Sequence, residues 1–253
     1  MGALHEGHLS IIKSARENSR VTVASIFVNP SQFNDSEDFK KYPKTIAADI
    51  RMLTEAGCDV LFLPDVTEMY PNGWQHTEPY DLGSLETLLE GFYRPGHFQG
   101  VCQVVHRLLK IVEPDTLFMG QKDFQQCMVV QRLIALKNLP VQLYTCPTLR
   151  EADGLALSSR NMRLSPKERT IAPAIYREMQ LIKQDLNNMP LRVLETRARK
   201  NLLDAGFSSV DYVSIAIPQT LQPLEKWEEG GLPTVILVAA YLGEVRLIDN
   251  LSI

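Results

Sequence analysis

Short apolar runs alternate with segments of helical spacing through the first 148 residues. Val21 to Val28 (VTVASIFV) is a β-branched run closed by Asn29-Pro30, the pattern of a strand buried on both faces of a parallel sheet. Val60 to Leu63 (VLFL), Thr116 to Met119 (TLFM) and Val141 to Tyr144 (VQLY) repeat it, each behind a segment with helical spacing. The clearest helix is predicted from Gln99 to Val112. There Val101, Val104, Val105, Leu108, Leu109 and Val112 recur at steps of three and one, and Pro114 forces the chain out of the helix. This alternation predicts βαβ units in an α/β fold: a Rossmann-like, doubly wound parallel sheet covered by helices. Such a sheet takes its ligands at the carboxyl ends of the strands.

Beyond about Thr148 the pattern changes. Ser165-Pro166-Lys167-Glu168 combines an N-cap serine, a proline at the first helical position and a glutamate that closes a capping box. A long helix is predicted from there, with Ile171, Ile175, Met179, Ile182 and Leu186 as its apolar stripe. A second helix follows from Leu191 to Ala205 and stops at Gly206. Three strand-like runs come next: Val210 to Ile217, Pro233 to Tyr241 and Glu244 to Ile248, with Leu242-Gly243 suited to a tight hairpin between the last two. The expected division is a parallel α/β domain over residues 1–148 and a smaller C-terminal α+β domain over residues 149–253.

Composition narrows the function classes. Of 253 residues 45% are hydrophobic and 22% charged, and 26 Lys+Arg against 30 Asp+Glu leave a net charge of −4. That balance offers no general footprint for nucleic acid or for an anionic membrane surface. The cysteines, Cys58, Cys102, Cys127 and Cys146, are spaced 44, 25 and 19 residues apart, which fits neither a zinc ribbon nor a dense disulfide framework. No run approaches the roughly 18 apolar residues of a membrane span, and no apolar signal region opens the chain. The expectation is a cytoplasmic protein with reduced thiols.

Three clusters carry candidate chemistry. The first is Met1-Gly2-Ala3-Leu4-His5-Glu6-Gly7-His8, set directly before an amphipathic segment. A helix N-terminus presents unpaired N–H groups and partial positive charge, Gly7 lets backbone approach a phosphate, and two imidazoles three residues apart add directional donors. That set suits the charge that develops on an α-phosphate during nucleotidyl transfer. The bland alternative is a pair of exposed histidines near a chain end. A zinc site is disfavoured, because the spacing is not that of HExxH and no third ligand is near.

The second cluster, Gly120-Gln121-Lys122-Asp123, follows the TLFM strand and opens a helix. Lys122 can hold a phosphate there and Asp123 can coordinate Mg²⁺ directly or through water; the alternatives are a solvated lysine and an N-cap aspartate. The third, Leu157-Ser158-Ser159-Arg160-Asn161, has two hydroxyls and a guanidinium able to clamp a leaving pyrophosphate, or forms an ordinary polar turn. Gln32 and Gln126 lie just past a strand end and on the helix opened by Asp123. Their amides can recognise the hydroxyl and carboxylate of a hydroxy acid without fixing its charge in the ground state, or are surface polar residues.

In order and spacing, MGALHEGH, FVNPSQF, GQKDFQQ and LSSRN closely resemble the pantoate–β-alanine ligases. The likeness extends to Tyr70-Pro71-Asn72-Gly73, His97-Phe98-Gln99-Gly100-Val101, Arg150-Glu151-Ala152-Asp153-Gly154 and Leu247-Ile248-Asp249-Asn250, and so covers essentially the whole chain. The resemblance implies a cytidylyltransferase-like fold with HIGH and KMSKS-type signatures. It also implies a two-step reaction: (R)-pantoate attacks the α-phosphorus of Mg·ATP, and β-alanine then displaces AMP from the pantoyl adenylate to give pantothenate, a coenzyme A precursor. By motif it assigns Met1, Gly2, Ala3, Leu4, His5, Glu6, Gly7 and His8 to ATP, with His5, His8 and Lys122 as catalytic groups on the phosphates. Gly120, Gln121, Lys122 and Asp123 also line the nucleotide. Leu149, Leu157, Ser158, Ser159 and Arg160 complete its site from a second domain that serves as a lid. Gln32 meets pantoate and β-alanine, Gln126 meets pantoate, and Asp123 reaches Mg²⁺ through the nucleotide. Members are typically cytosolic homodimers.

Departures from the family pattern are Leu157 where Met is frequent and Gln121 where Glu is frequent. In the family a first strand also precedes the HIGH-like motif, whereas this sequence begins at Met1; a lost central strand is expected to cost several kcal/mol. Two rival readings are an adenylyltransferase acting on a phosphate, which needs neither glutamine, and a nucleotide-binding protein without turnover. A tRNA ligase is disfavoured by the lack of basic surface.

Overall fold

The computed structural model describes residues 2–29, 45–73 and 79–253. The chain divides into two compact units, one of Met1–Gly120 with Gln125–Pro147, the other of Gln121–Phe124 with Thr148–Ile253.

The first unit opens with helix α1 (Glu6–Asn18), followed by strand β1 (Val23–Ser25), helix α2 (Ile46–Glu55) and strand β2 (Val60–Phe62). β1 and β2 are parallel, with Val23 opposite Val60 and Ser25 opposite Phe62. A one-turn helix, α3 (Val66–Met69), starts in a capping box between Asp65 and Glu68. Next come α4 (Glu90–Tyr93) and α5 (His97–Val112). α5 ends where Glu113 turns left-handed and donates its N–H to the Leu109 carbonyl, so the helix has stopped before Pro114. Strand β3 (Thr116–Gly120), helix α6 (Phe124–Leu136) and strand β4 (Gln142–Cys146) complete a second parallel pair, in register from Thr116 opposite Gln142 to Gly120 opposite Cys146. Phe27, Met69, Tyr70 and Val104 form a buried cluster in this unit.

The second unit holds a larger core. Helices α7 (Pro166–Ile171), α8 (Ala174–Asp185) and α9 (Leu191–Ala205) precede the antiparallel sheet β5 (Ser209–Ala216), β6 (Val235–Leu242) and β7 (Val245–Ser252). Met179 and Ile182 of α8, Leu194 and Leu202 of α9, and Ile215 and Ile236 of the sheet are almost completely buried together. Burying each such side chain contributes about 1.5–3 kcal/mol. Gly243 and Glu244 make the two-residue turn between β6 and β7, where Gly243 adopts φ +58.

The alternation of elements and the mixed α/β class follow the expected order, but two local readings need correction. The single long helix from Ser165 is interrupted. Its capping box forms as expected, yet α7 stops after Ile171 and α8 begins only at Ala174. Pro173 lies between them; it has no N–H to continue the ladder, and its ring clashes with the preceding turn. The strands of the parallel pairs are also shorter and less enclosed than their β-branched composition implies: β1 keeps three residues of the eight-residue run, and Val23 and Val60 are 38% and 47% exposed. Among the described residues each pair stands as a two-stranded sheet. No helix among those residues is long and apolar enough to cross a membrane.

Candidate active site

The His5-x-x-His8 pair builds the start of α1. His5 is the N-cap residue: its Nδ1 accepts the Gly7 N–H at 3.1 Å, while His8 Nδ1 accepts the His5 N–H at 3.3 Å. Two imidazoles thus fill a capping box that is ordinarily made by Ser or Thr with Glu, with ring centroids 4.0 Å apart. Because each Nδ1 accepts, the proton of each neutral ring lies on Nε2. The motif therefore holds two similarly polarised N–H donors at the positive end of a 13-residue helix.

The turn before this helix is tied down by Asp49. The Asp49 carboxylate, 1% exposed on α2, accepts the Ala3 N–H at 3.0 Å and the Leu4 N–H at 2.8 Å, with the Thr45 hydroxyl at 3.1 Å. Ala3 is held at φ +52, a conformation that L-residues other than Asn and Asp seldom adopt, and Gly2 at φ +89. Sequence reasoning missed Asp49. Its signal was a carboxylate one turn from Leu53 on an otherwise apolar helix face.

Gly120 ends β3 beneath α1, where a Cβ would stand 3.1 Å from Ile11 Cδ1; this close approach is what glycine permits. Of the adjacent glutamines on α6, Gln125 is buried and structural. Its Nε2 donates to the carbonyls of Leu85 and Leu88 and its Oε1 accepts the Glu90 N–H. Gln126 is half-buried on the first turn of α6. Met1 and Gln32 lie outside the described residues. Cys102 carries no nucleophilic role: burial, with Glu86 adding to it, pushes its thiol up to about 12.

In the second unit, Lys122, Ser158 and Arg160 line one recess together with Tyr176 and Asp249. The recess leaves room for about one water, a volume of about 20 Å³. A short antiparallel hairpin leads into it. Arg150 bridges Ala156, the Leu157 N–H reaches the Leu149 carbonyl at 3.0 Å, and Gly154 turns the tip at φ +92. Ser158 caps the 3₁₀ turn Ser159–Arg163, its Oγ accepting the Arg160 N–H. Lys122 is 17% exposed, with Nζ 4.0 Å from a carboxylate oxygen of Asp123, which is itself 51% exposed.

Asp249, which lines this recess, is buried, and it pairs with the half-buried Arg150. Arg150 donates to both oxygens of Asp249, at 2.5 and 2.9 Å, and its guanidinium lies 4.0 Å from the centroid of the Tyr176 ring. Burial pushes the Asp249 carboxyl up from the ordinary aspartate range, and Arg150 opposes it through hydrogen bonds and charge. Two parallel N–H···O bonds fix the Asp249 carboxyl against the guanidinium.

A family model, that of the pantoate–β-alanine ligases, matches residues 1–252. The chain belongs to that family. Curated relatives include the pantothenate synthetase of Cytophaga hutchinsonii, 44% identical over 255 residues, and that of Pseudomonas paraeruginosa, 47% identical over 257 residues. Each match covers all of this chain and 89% of the relative. The crystal structure of pantothenate synthetase from Thermus thermophilus superposes with a TM-score of 0.91 at 44% identity, covering 99% of this chain and 90% of the other. The pantoate–β-alanine ligase of Francisella tularensis, complexed with β-γ ATP and β-alanine, has a TM-score of 0.81 at 36% identity over all of this chain and 87% of the other.

Proposed function

We propose that this protein condenses (R)-pantoate with β-alanine at the expense of ATP. The pantoate carboxylate attacks the α-phosphorus and pyrophosphate leaves, giving a pantoyl adenylate. The amine of β-alanine then attacks the acyl carbon, AMP leaves with the bonding electrons, and pantothenate is formed. Activation is needed because a free carboxylate is a poor electrophile, whereas AMP is a good leaving group.

The observation that carries this reading is the family match over residues 1–252, joined to a helix start whose two imidazoles are both set to donate from Nε2. His8 and His5 donate to phosphate oxygens of ATP, where charge grows in the transition state, and the N–H groups that open α1 add to that field. Gly2, Ala3, Leu4, Glu6 and Gly7 shape the backbone against the nucleotide, with Met1 ahead of them. Lys122, Ser158, Ser159 and Arg160 meet the departing pyrophosphate at the mouth of the recess, whose interior takes only about one water, and Gly120, Gln121, Leu149 and Leu157 supply backbone and apolar contacts. Gln126 and Gln32 orient pantoate, Gln32 meeting β-alanine as well.

Mg²⁺ bound with the nucleotide neutralises phosphate charge, and Asp123 is the carboxylate that would hold it. A single exposed carboxylate beside a lysine suits an ion carried by phosphates, and among the described residues no group of three or more His, Cys, Asp or Glu is gathered for a resident metal. Reduced thiols support a cytosolic setting: Cys58, Cys102, Cys127 and Cys146 are all free. By family likeness the working form is a homodimer, with no nucleic acid or membrane partner.

The test is release of pyrophosphate and AMP from ATP, Mg²⁺ and (R)-pantoate, with and without β-alanine, for this chain and for His8→Ala. AMP and pantothenate formation that requires all substrates and falls at least 100-fold in the variant is expected. Pyrophosphate release with the AMP retained on a phosphate acceptor and no pantothenate formed would favour an adenylyltransferase, and ATP binding with no turnover a binding protein.

A further inference from the structure

The turn that carries Lys122 is held from the far end of the sequence. Gln121–Phe124 join β3 to α6 yet group with the second unit, and the last residues of β7 grip them. Asn250 Nδ2 donates to two successive carbonyls, Gln121 O at 2.9 Å and Lys122 O at 3.0 Å, and the Gln121 amide donates to Ser252 Oγ at 2.8 Å. Asn250 is 2% exposed. Its orientation is fixed, because a flipped amide would turn its oxygen onto two carbonyl oxygens.

This arrangement is kept at a cost. Asn250 Oδ1 is buried with no hydrogen-bond partner, and a buried acceptor left unpaired is uncommon enough to call for a reason. The reason lies in what the donors hold. Asn250 is itself locked from behind: its N–H donates to Asp249 Oδ1 at 2.8 Å and its carbonyl accepts from Arg150 at 3.1 Å. Arg150 also grips the Gly154 carbonyl at 3.1 Å. A continuous set of partly buried polar contacts therefore runs from the hairpin before Ser158, through Arg150, Asp249 and Asn250, to the backbone of Lys122. It links the two parts of the sequence that share one recess.

We propose that Asn250 is a positioning residue that, locked by the Arg150–Asp249 pair, sets the Lys122 ammonium against the phosphates of ATP in the adenylation step. The inference rests on the reading of Lys122 as a phosphate ligand given above. A long, flexible ammonium works as a point charge, and a small displacement of such a group lowers rate steeply.

The experiment is a double-mutant cycle on the full chain, Asn250→Ala with Lys122→Ala, reading pyrophosphate release. Asn250→Asp accompanies it as an isosteric variant that keeps the packing but replaces the donor by an acceptor. Lys200→Ala, exposed on α9, is the surface control and is expected to leave rate and melting temperature unchanged. Asn250→Ala and Asn250→Asp are each expected to slow pyrophosphate release about tenfold or more, with the β-alanine KM unchanged, and to add nothing once Lys122 is gone. Loss that multiplies with that of Lys122→Ala, or that strikes the reaction of preformed pantoyl adenylate with β-alanine equally, makes Asn250 a general structural residue and overturns the proposal. Unchanged turnover in Lys122→Ala overturns the role of Lys122 itself, and this proposal with it. Loss in Lys122→Ala beside full activity in both Asn250 variants overturns the positioning role alone.

Discussion

Asp49 and Leu4 lie 45 residues apart in sequence and 2.8 Å apart in space, carboxylate oxygen to backbone nitrogen. A second bond from the same carboxylate, to Ala3 N, holds that residue in its left-handed conformation. The entry to the imidazole pair is thus set by an acid on a neighbouring helix. In Asp49→Asn one oxygen becomes an NH₂ group facing an N–H donor. The expected result is a loss of about 3 kcal/mol in stability, the scale of two charge-assisted hydrogen bonds, and a fall in kcat/KM for ATP of at least tenfold. Urea unfolding and steady-state kinetics check the two separately; a variant with native stability and native kinetics would refute the anchoring role.

His5 does two jobs that can be separated. As N-cap it accepts the Gly7 N–H, a role that asparagine also fills. In the proposed reaction it also donates from Nε2 to a phosphate, which the shorter asparagine side chain would not reach. His5→Asn is therefore expected to keep stability within about 0.5 kcal/mol while losing most ATP turnover, whereas His5→Ala loses both the cap, worth about 1 kcal/mol, and the activity. Thermal melts beside pyrophosphate release distinguish them. Equal activity in the asparagine variant and the parent would reduce His5 to a helix cap.

The thiols supply a check on the fold that does not involve activity. Cys102, Cys127 and Cys146 are buried, and burial raises the Cys102 and Cys146 thiols, whereas Cys58 is only partly covered, beside Thr22 O and Val60 O. The thiolate is the reactive form. Ellman's reagent at pH 8 should titrate one thiol quickly in the native protein, the other three reacting only on denaturation, with Cys58→Ser abolishing the fast phase. Rapid native reaction of Cys102 would contradict the packing of α5.

What the sequence revealed and what it hid divide along a physical line. The stripe from Val101 to Val112, the Ser165–Glu168 capping box and the β6–β7 hairpin were legible because each depends on neighbours in sequence. The break at Pro173 was also local, but the apolar stripe runs through it, and periodicity alone bridges the gap. His5 as an N-cap was hidden, since histidine seldom takes that place. Asn250 was visible only as part of a terminal motif, and its reach to Gln121 and Lys122 depends on tertiary packing across 129 and 128 residues. The same holds for Gln125, which looks like its neighbour Gln126 until the carbonyls of Leu85 and Leu88 are seen around it.

Arg169 braces the hairpin that precedes Ser158, its guanidinium reaching Asp153 and Glu151 at 2.6 Å each. The hydrogen bond from Arg169 holds the Asp153 carboxyl below its ordinary value of 3.8. Because the folded value is depressed, the contribution is complete above the unfolded value and is lost as pH falls through the folded one. Both partners are substantially solvated, so the brace is worth about 1 kcal/mol or less. Compared with the parent, Asp153→Asn should unfold at lower urea by a margin that is constant from about pH 5 to about pH 8 and closes as pH falls below the ordinary aspartate value of 3.8. High salt should narrow the same margin at pH 7. A margin that persists undiminished at pH 2.5 would mean that the loss in Asp153→Asn comes from packing rather than from charge, and no margin at any pH would mean that Asp153 acts through its bond to the Leu155 N–H, which an asparagine oxygen also accepts.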